Sequence, residues 1–207
     1  ITKTFTAVLV LQLHQQGKID LNVPFGKYYP TYKGDAKDKV TIQQLLTYSS
    51  GIPNAVENLH LKPYQLPLTL DEFIDQYCSE KVAFTPGEKS NYSNTEYTIL
   101  HKIIENVSKT SFSSLLQENI LNPLQMKNTG MLHAKDIIAG LSSSYTLEES
   151  TNQITADEPY FIENYFGSAA MYSTVEDLLT FNNALLNNRL LNATTTQLLL
   201  QPNKQLD

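Results

Sequence analysis

The chain has 207 residues, of which 41% are hydrophobic, and this composition is ordinary for a globular protein with a packed core. Its 15 basic and 21 acidic residues give a formal net charge of −6, which disfavours a nucleic-acid backbone as the main partner. The single cysteine, Cys78, excludes an internal disulfide, and no apolar run approaches the ~20 residues that span a membrane.

The first predicted element is a helix over residues 1–16 that is apolar almost all round. Its apolar residues are Phe5, Ala7, Val8, Leu9, Val10, Leu11 and Leu13. A helix without a polar face belongs in the interior, so we expect it to be the central buried helix, and Gly17 is typical of its end. Residues 18–38 follow and predict an ordered surface loop. The residues that interrupt regular structure there are Pro24, Gly26, Pro30 and Gly34.

Three further helices have recognisable first residues. A short helix is predicted to follow its cap, Thr41, and to run through Leu46. Thr69 and Glu72 form a capping box ahead of another apolar helix face. A third helix is predicted to open at residues 94–95. Its inner side carries Ile99, Leu100, Ile103, Ile104 and Val107.

The last part of the chain continues this helical pattern. We predict a helix over residues 112–121 that ends near 122–123, and a capping box of Ser173 and Glu176 that opens another. Asn192 is predicted to cap the last helix. Strand patterns are confined to residues 131–132, 144–147, 153–155 and 169–172. The sequence therefore predicts a helix-rich chain with little sheet.

Tyr92 and Asn94 lie two residues apart at the predicted junction of a loop and a helix. A phenol and a carboxamide at this spacing diverge on a regular helix but can enter one cleft from a turn. A tyrosine acts as a base near neutral pH only if a cation stabilises its phenolate, and Lys3 is a candidate for that cation. The alternative interpretation is that Tyr92 packs, Asn94 caps a helix and Lys3 is solvated.

No metal or cofactor site is predicted. The histidines are His14, His60, His101 and His133, and none of them lies at the spacing of a zinc-binding motif. Cys78 is interpreted as a small buried apolar group.

Several blocks of sequence, in order along the chain, resemble the serine β-lactamase family. The longest runs from FTPGEKSNYSNTEYTIL at residues 84–100 to ILNPLQMKNTG at 120–130. Residues 1–7, ITKTFTA, resemble the start of the family's nucleophile helix, just after the serine of S-x-x-K. Residues 41–53, TIQQLLTYSSGIP, resemble its T-I-x-x-L-L-T-H-T-S-G-L-P block, and residues 169–178, AAMYSTVEDL, match its G-G-L-Y-S-T-x-x-D-L segment.

The resemblance is closer to the class C and D-alanyl-D-alanine carboxypeptidase branch, with its penicillin-binding-protein-like hydrolases. It implies an α/β (α+β) fold of the β-lactamase/transpeptidase type, as a single domain over residues 1–207. In that family a serine attacks a carbonyl to form an acyl-enzyme, which water then hydrolyses.

The resemblance also implies roles for three residues. Lys3 corresponds to the lysine of S-x-x-K, Tyr92 to the general base for acylation and acid for the leaving group, and Asn94 to a hydrogen-bonding partner of Lys3 and of the substrate's amide carbonyl. Whether Lys3 or Tyr92 is the base stays open, because their titrations would be coupled. We expect the Lys3 ammonium to lie within reach of the Tyr92 hydroxyl and the Asn94 amide.

The chain also departs from the family pattern. The nucleophilic serine would be the residue before Ile1, and the late K-T-G or H-x-G strand is not found before Asp207. We therefore expect an incomplete domain, mostly helical, with most of its antiparallel sheet missing and apolar helix faces exposed. Tyr48 replaces a histidine of the family, and residues 167–170 lack its paired glycines, for which we expect only local backbone differences.

The leading hypothesis is a serine hydrolase acting on an amide or ester, such as a β-lactam or a D-Ala-D-Ala-type peptide, with this chain inactive alone. The alternative is a non-catalytic relative that binds a peptide or cell-wall fragment, and a helical interaction module with chance motifs is disfavoured by the ordered blocks. The predicted partner is a small-molecule or peptide substrate, without nucleic acid, a membrane span or a cofactor. Oligomeric state stays open, and the resemblance favours a periplasmic or extracytoplasmic location.

Overall fold

The computed structural model describes residues 1–55, 62–157 and 159–201. Its helices are α1 (Thr2–Gln15), α2 (Ile42–Leu46), α3 (Leu70–Tyr77), α4 (Thr95–Ser108), α5 (Phe112–Leu116), α6 (Asn122–Leu124), α7 (Val175–Leu186) and α8 (Ala193–Leu200). Its strands are β1 (Gly130–Met131), β2 (Tyr145–Glu148), β3 (Gln153–Ala156) and β4 (Met171–Tyr172). Short 3-10 helical segments lie at Phe25–Lys27, Lys62–Tyr64 and Ile162–Ser168.

Helix α1 lies in the core, as predicted. Val8, Leu9 and Val10 are consecutive residues and all three are fully buried, so the helix is enclosed on every side along this turn. It packs against α4 and the Ile162–Ser168 segment. Gly17 follows the helix with φ of +70°, which a glycine adopts without steric cost.

The surface-loop prediction for residues 18–38 was incomplete. The segment has little regular structure, as expected, but the rings of Phe25, Tyr29 and Tyr32 are buried in the core. The Tyr32 hydroxyl donates a hydrogen bond to the Cys78 carbonyl at 2.5 Å. These aromatic rings anchor a loop whose backbone runs along the surface, because burial of large apolar rings outweighs the local preference for solvent.

The predicted helix starts at Thr41 and Thr69 are confirmed. Thr41 forms a complete capping box with Gln44 at the start of α2, and Thr69 forms one with Glu72 at the start of α3. Asn192 caps α8 by accepting a hydrogen bond from the Thr195 amide at 2.9 Å. Each cap needs only partners three residues away, so local sequence determines it.

The predicted helix end near residues 122–123 was wrong. Helical structure continues from α5 through a π-helical turn at Gln117–Leu121 into α6, and it ends at Gln125 with φ of +57°. Pro123 lies in the first turn of α6, directly after the π-helical turn. The proline therefore does not end the helix, which continues to Leu124.

The predicted capping box at the start of α7 is displaced by one residue. Thr174, rather than Ser173, is the cap, and its hydroxyl accepts from the Asp177 amide at 3.3 Å. The Asp177 carboxylate turns inward and accepts hydrogen bonds from the Asn128 amide at 2.9 Å and the Thr129 hydroxyl at 2.8 Å. Both Ser173 and Thr174 are suitable caps, and this buried tertiary network selects between them.

The strands form two small antiparallel pairs among the described residues, close to the predicted positions. β1 pairs with β4, with Gly130 opposite Tyr172, and β2 pairs with β3 in a hairpin whose residues are all exposed. The predicted exposed apolar helix face is present on α7, where Val175, Leu179 and Leu186 are each more than half exposed. Within the described ranges, none of the helices is both long and apolar enough to cross a bilayer.

Candidate active site

The segment of residues 167–171 lies along the first turns of α1. The Thr6 hydroxyl donates a hydrogen bond to the Gly167 carbonyl at 2.7 Å, and the Met171 amide donates to the Thr2 hydroxyl at 3.2 Å. Thr2 and Thr6 are both buried, so water does not compete for these contacts. The two threonines therefore hold this segment against the N-terminal end of α1.

Gly167 allows this close approach. A Cβ atom at this position would lie 3.0 Å from the Tyr97 carbonyl oxygen and 3.0 Å from the His101 Cβ, both on α4. Contacts this short are tighter than ordinary Cβ packing, so a side chain fits between α4 and the segment only if its neighbours give by a few tenths of an ångström. The Ser168 carbonyl is consequently placed at the start of α1.

Lys3 lies in the first turn of α1, beside this carbonyl. Its ammonium group donates hydrogen bonds to the Asn94 Oδ1 atom at 2.6 Å and to the Ser168 carbonyl oxygen at 2.8 Å. The ammonium nitrogen also lies 4.8 Å from the centroid of the Tyr92 ring and 5.8 Å from that of Tyr97, within the range of cation–π contacts. Three separate segments of the chain thus meet at one cation.

The turn that carries Tyr92 is fixed on both sides. The Asn91 amide donates to the Tyr48 carbonyl at 2.9 Å, and the Ser93 hydroxyl accepts from the Thr95 amide at 3.1 Å. Ser93 therefore satisfies a free N–H group at the start of α4. Asn94 is the N-cap residue but makes no side-chain capping bond, so its amide is available to Lys3.

Tyr48 packs against this turn from the other side. Its ring centroid lies 5.0 Å from that of Tyr92 and 5.4 Å from that of Tyr97. Its φ of +57° is in the left-handed region, which is unusual for a bulky residue and marks strain that the surrounding structure sustains. Burial, with a smaller contribution from Tyr92, raises the pKa of Tyr48 to about 12, so its hydroxyl is neutral.

Glu96 is a buried acid in the first turn of α4 that sequence reasoning missed. Its Oε1 atom accepts hydrogen bonds from the Ser50 hydroxyl at 2.5 Å and the Ser50 amide at 3.2 Å. Burial raises the pKa of Glu96 to about 8, although the bonds from Ser50 and the charge of Lys3 act in the opposite direction. The sequence did contain a signal for the burial of Glu96. The residue lies three and four positions before Ile99 and Leu100, which places it on the buried face of the helix.

The structure brings the three predicted site residues together, with one difference in detail. Asn94 contacts the Lys3 ammonium through its side-chain oxygen, as expected. Tyr92 contacts the same ammonium through its ring face, and its hydroxyl makes no hydrogen bond with the described residues. Tyr92 is 61% exposed, so the phenol is accessible to a substrate. The Ser168 carbonyl is a further contact that sequence reasoning did not predict, because a backbone acceptor leaves no pattern in residue types.

The described residues contain no group of three or more His, Cys, Asp or Glu placed to hold a metal ion. His101 is buried, and its Nε2 atom lies 3.3 Å from Glu105 one turn along α4. His60 lies outside the described residues. Cys78 is fully buried, as predicted.

Comparisons with known proteins identify relatives of this chain. A family model described as Beta-lactamase matches residues 1–206. Protein flp of Staphylococcus aureus (strain MW2) is 32% identical over 186 residues, which cover 86% of this chain and 36% of that protein. The D-alanyl-D-alanine-carboxypeptidase/endopeptidase AmpH of Escherichia coli (strain K12) is 27% identical over 187 residues, covering 86% of this chain and 46% of AmpH.

A solved structure is also similar. The crystal structure of a D-stereospecific amidohydrolase from Streptomyces sp. matches with a TM-score of 0.82 and 28% sequence identity, covering 95% of this chain and 62% of that chain. This chain thus spans less than half of flp and of AmpH, and less than two thirds of the amidohydrolase.

Proposed function

This chain belongs to the beta-lactamase family, and we propose that it carries the proton-handling residues of a serine hydrolase that works through an acyl-enzyme. Its fold is of the β-lactamase/transpeptidase type, so the family and fold predicted from the sequence are confirmed. The observation that carries the proposal is the Lys3 ammonium, which Asn94 and Ser168 hold beside the Tyr92 ring.

The proposed nucleophile is a serine at the position before Ile1, three residues ahead of Lys3. Side chains three residues apart lie on one face of a helix, so the serine hydroxyl would lie one turn from the Lys3 ammonium. The serine oxygen attacks the substrate carbonyl carbon while its proton passes to a base, and water later hydrolyses the acyl-enzyme.

Lys3 and Tyr92 are the proposed proton carriers. Each is a base only in its deprotonated form, and the contact of the ammonium with the Tyr92 ring places a cation beside any phenolate that forms there. Whichever group accepts the serine proton, Tyr92 is exposed and can return a proton to the leaving group. Asn94 orients Lys3 through its side-chain oxygen, and its amide N–H groups are donors that suit a substrate carbonyl.

The proposed substrate is a peptide or amide with a D-amino acid at the cleaved bond, or a β-lactam or ester that takes its place. The support for this class is that one relative is named for D-alanyl-D-alanine peptides and one solved relative for D-stereospecific amide hydrolysis. An extracytoplasmic location stays a prediction from the family resemblance.

The proposal is tested by labelling the full gene product with a fluorophosphonate and with penicillin, and measuring its intact mass. We expect one covalent adduct, on the serine before Ile1, and no turnover by the 207-residue chain alone. Lys3→Ala and Tyr92→Phe should slow labelling, whereas Lys18→Ala and Tyr145→Phe, which change exposed residues of the same types, should not.

Two results would contradict the proposal. One is a residue other than serine before Ile1 in the gene. The other is the absence of an adduct with both reagents, which would favour the alternative of a non-catalytic peptide-binding relative.

A further inference from the structure

Glu96 is 1% exposed, yet only one of its carboxyl oxygens has a hydrogen-bond partner in the described part of the chain. The Oε1 atom accepts both hydrogen bonds from Ser50, whereas the Oε2 atom is buried without a hydrogen-bond partner among the described residues. A buried carboxylate with an unpaired oxygen is strongly disfavoured, whereas a neutral carboxylic acid tolerates this environment better. The geometry therefore favours the uncharged form.

The same carboxyl group is one of three links between residues 50–55 and the first turn of α4. The Ala55 amide donates to the Thr95 hydroxyl at 3.0 Å, and the Asn94 amide donates to the Asn54 side-chain oxygen at 3.3 Å. Together with the Ser50 bonds to Glu96, these contacts hold the three consecutive residues 94–96 against residues 50–55. The position of the Asn94 side chain against Lys3 depends on this set of links.

The charged and titratable groups that face Glu96 come from three elements. Lys3 on α1 is the cation, Tyr97 lies on α4 itself, and Tyr48 follows α2. Burial keeps both tyrosines neutral by raising the pKa of each phenol. Lys3 makes no salt bridge with the described residues, and its hydrogen bonds go to neutral oxygens instead.

We propose that Glu96 is a positioning residue of this site, whose uncharged carboxyl group ties residues 50–55 to α4 while leaving the Lys3 ammonium on the neutral oxygens of Asn94 and Ser168. A carboxylate in this place would attract the ammonium and favour the charged form of both partners. The neutral acid therefore leaves Lys3, one of the two proposed proton carriers, without a fixed anion beside it. The inference rests on the proposed function and adds a residue to its site.

Nuclear magnetic resonance on the 207-residue chain tests this inference without turnover. Glutamate Cδ and lysine Cε signals are followed from pH 3 to pH 10, and we expect the Glu96 signal to titrate with a midpoint of about 8. The Lys3 Cε signal should show a step at the same pH. That step should disappear in Glu96→Gln, which keeps an oxygen for Ser50, and should persist in the control Glu118→Gln, which changes an exposed glutamate.

Two outcomes would overturn the inference. One is a Glu96 midpoint near the ordinary glutamate value of about 4.3. The other is a Lys3 step that survives in Glu96→Gln. If Glu96→Gln does not fold, the midpoint in the unaltered chain still decides.

Labelling of the full gene product separates this inference from the proposed function. If the full gene product forms a fluorophosphonate adduct but the Lys3 titration step persists in Glu96→Gln, only the role of Glu96 is overturned. No adduct together with the expected titrations overturns the proposed function, and with it the catalytic meaning of the Glu96–Lys3 coupling.

Discussion

The Lys3 ammonium nitrogen lies 2.6 Å from the Asn94 Oδ1 atom, so a single hydrogen bond joins the first turn of α1 to the N-cap residue of α4. Hydrogen bonds to charged groups are stronger than neutral ones because the donor carries a full charge. The Ser168 carbonyl adds a second bond from a third segment. The ammonium is thus held in one position beside the ring of Tyr92.

Removing the Lys3 charge should abolish most of the labelling of the full gene product. Lys3→Met keeps most of the apolar stem but loses the ammonium that is proposed to handle the proton, and we expect fluorophosphonate labelling to slow by about 10²–10⁴-fold. The control is Lys18→Met, which changes an exposed lysine after the end of α1. Equal labelling rates in the two variants would contradict the role of Lys3.

Tyr92→Phe should separate catalysis from packing. The Tyr92 hydroxyl has no hydrogen bond with a described residue, and the contacts with Lys3 and Tyr48 are made by its ring. We expect the free energy of unfolding to change by less than about 0.5 kcal/mol. Labelling of the full gene product should nevertheless slow by about 100-fold or more, because the proposed proton carrier is gone.

Tyr32→Phe is the matched control for that measurement. The buried Tyr32 hydroxyl donates to the Cys78 carbonyl, so its removal leaves a buried acceptor without a partner. We expect a loss of about 1–3 kcal/mol in urea unfolding. A Tyr92→Phe protein that is as destabilised as Tyr32→Phe would show that the Tyr92 hydroxyl has a structural role.

Glu96 should make the stability of the chain fall as pH rises. Its pKa is about 8 in the folded state, because of burial, and a glutamate in an unfolded chain titrates near ~4.3. Between these values the folded state keeps a proton that the unfolded state has released. The contribution is therefore fully present below the unfolded pKa and is lost as pH rises towards 8.

Urea unfolding of the unaltered chain and of Glu96→Gln at pH 4.5, 6 and 8.5 measures this effect. As pH rises across this range, the free energy of unfolding of the unaltered chain should fall relative to that of Glu96→Gln by on the order of a few kcal/mol. Glu118→Gln, with an exposed side chain, should follow the unaltered protein at every pH. A pH-independent difference between Glu96→Gln and the unaltered chain would show that Glu96 does not titrate in this range.

Gly167→Ala should disturb the site as well as the fold. The added Cβ would lie 3.0 Å from the Tyr97 carbonyl oxygen, and this tight contact falls one residue before the Ser168 carbonyl that binds Lys3. We expect a loss of about 1–3 kcal/mol in stability together with slower labelling of the full gene product. The control Gly17→Ala meets no atom within 4 Å and should cost about 1 kcal/mol from its positive φ alone, with labelling unchanged.

Ala170→Gly should be tolerated or stabilising, unlike most buried alanine-to-glycine changes. Ala170 has φ of +71°, a conformation that costs an L-residue about 1 kcal/mol and costs glycine nothing. This relief offsets the larger entropy of an unfolded glycine. The control Ala184→Gly, at a buried position inside α7, should lose about 1 kcal/mol or more. Equal losses of stability in the two variants would contradict the strain at Ala170.

The local backbone difference expected at the missing glycine pair stays a prediction, but Ala170 does have a positive φ. The family pattern has glycine at this position, and the alanine adopts the backbone that glycine would take, at some cost in strain. Tyr48 is a second departure from the pattern, and it too has a positive φ. In both places the surrounding packing maintains a conformation that the local residue disfavours.

Helix starts at Thr41, Thr69 and Asn192 were predictable because a cap and its partner lie within one turn of each other. The end of the helix beyond Pro123 and the cap of α7 were not, because a π-turn and a buried Asp177 network decide them. Local rules therefore failed where contacts from distant residues compete with a local preference.

The sequence by itself determined the family and the helical character, because ordered motifs and capping patterns depend on neighbouring residues, and it predicted Lys3, Tyr92 and Asn94 as candidate site residues. Only the tertiary structure decided that Lys3 meets Asn94 and the Ser168 carbonyl, which lie 91 and 165 residues away along the chain. It also revealed that the Tyr92 ring contacts the Lys3 ammonium and that Glu96 is buried beside that ammonium. The physical reason is that burial, the positions of backbone acceptors and the orientation of rings depend on which segments pack together. That packing cannot be predicted from the spacing of residues along the chain.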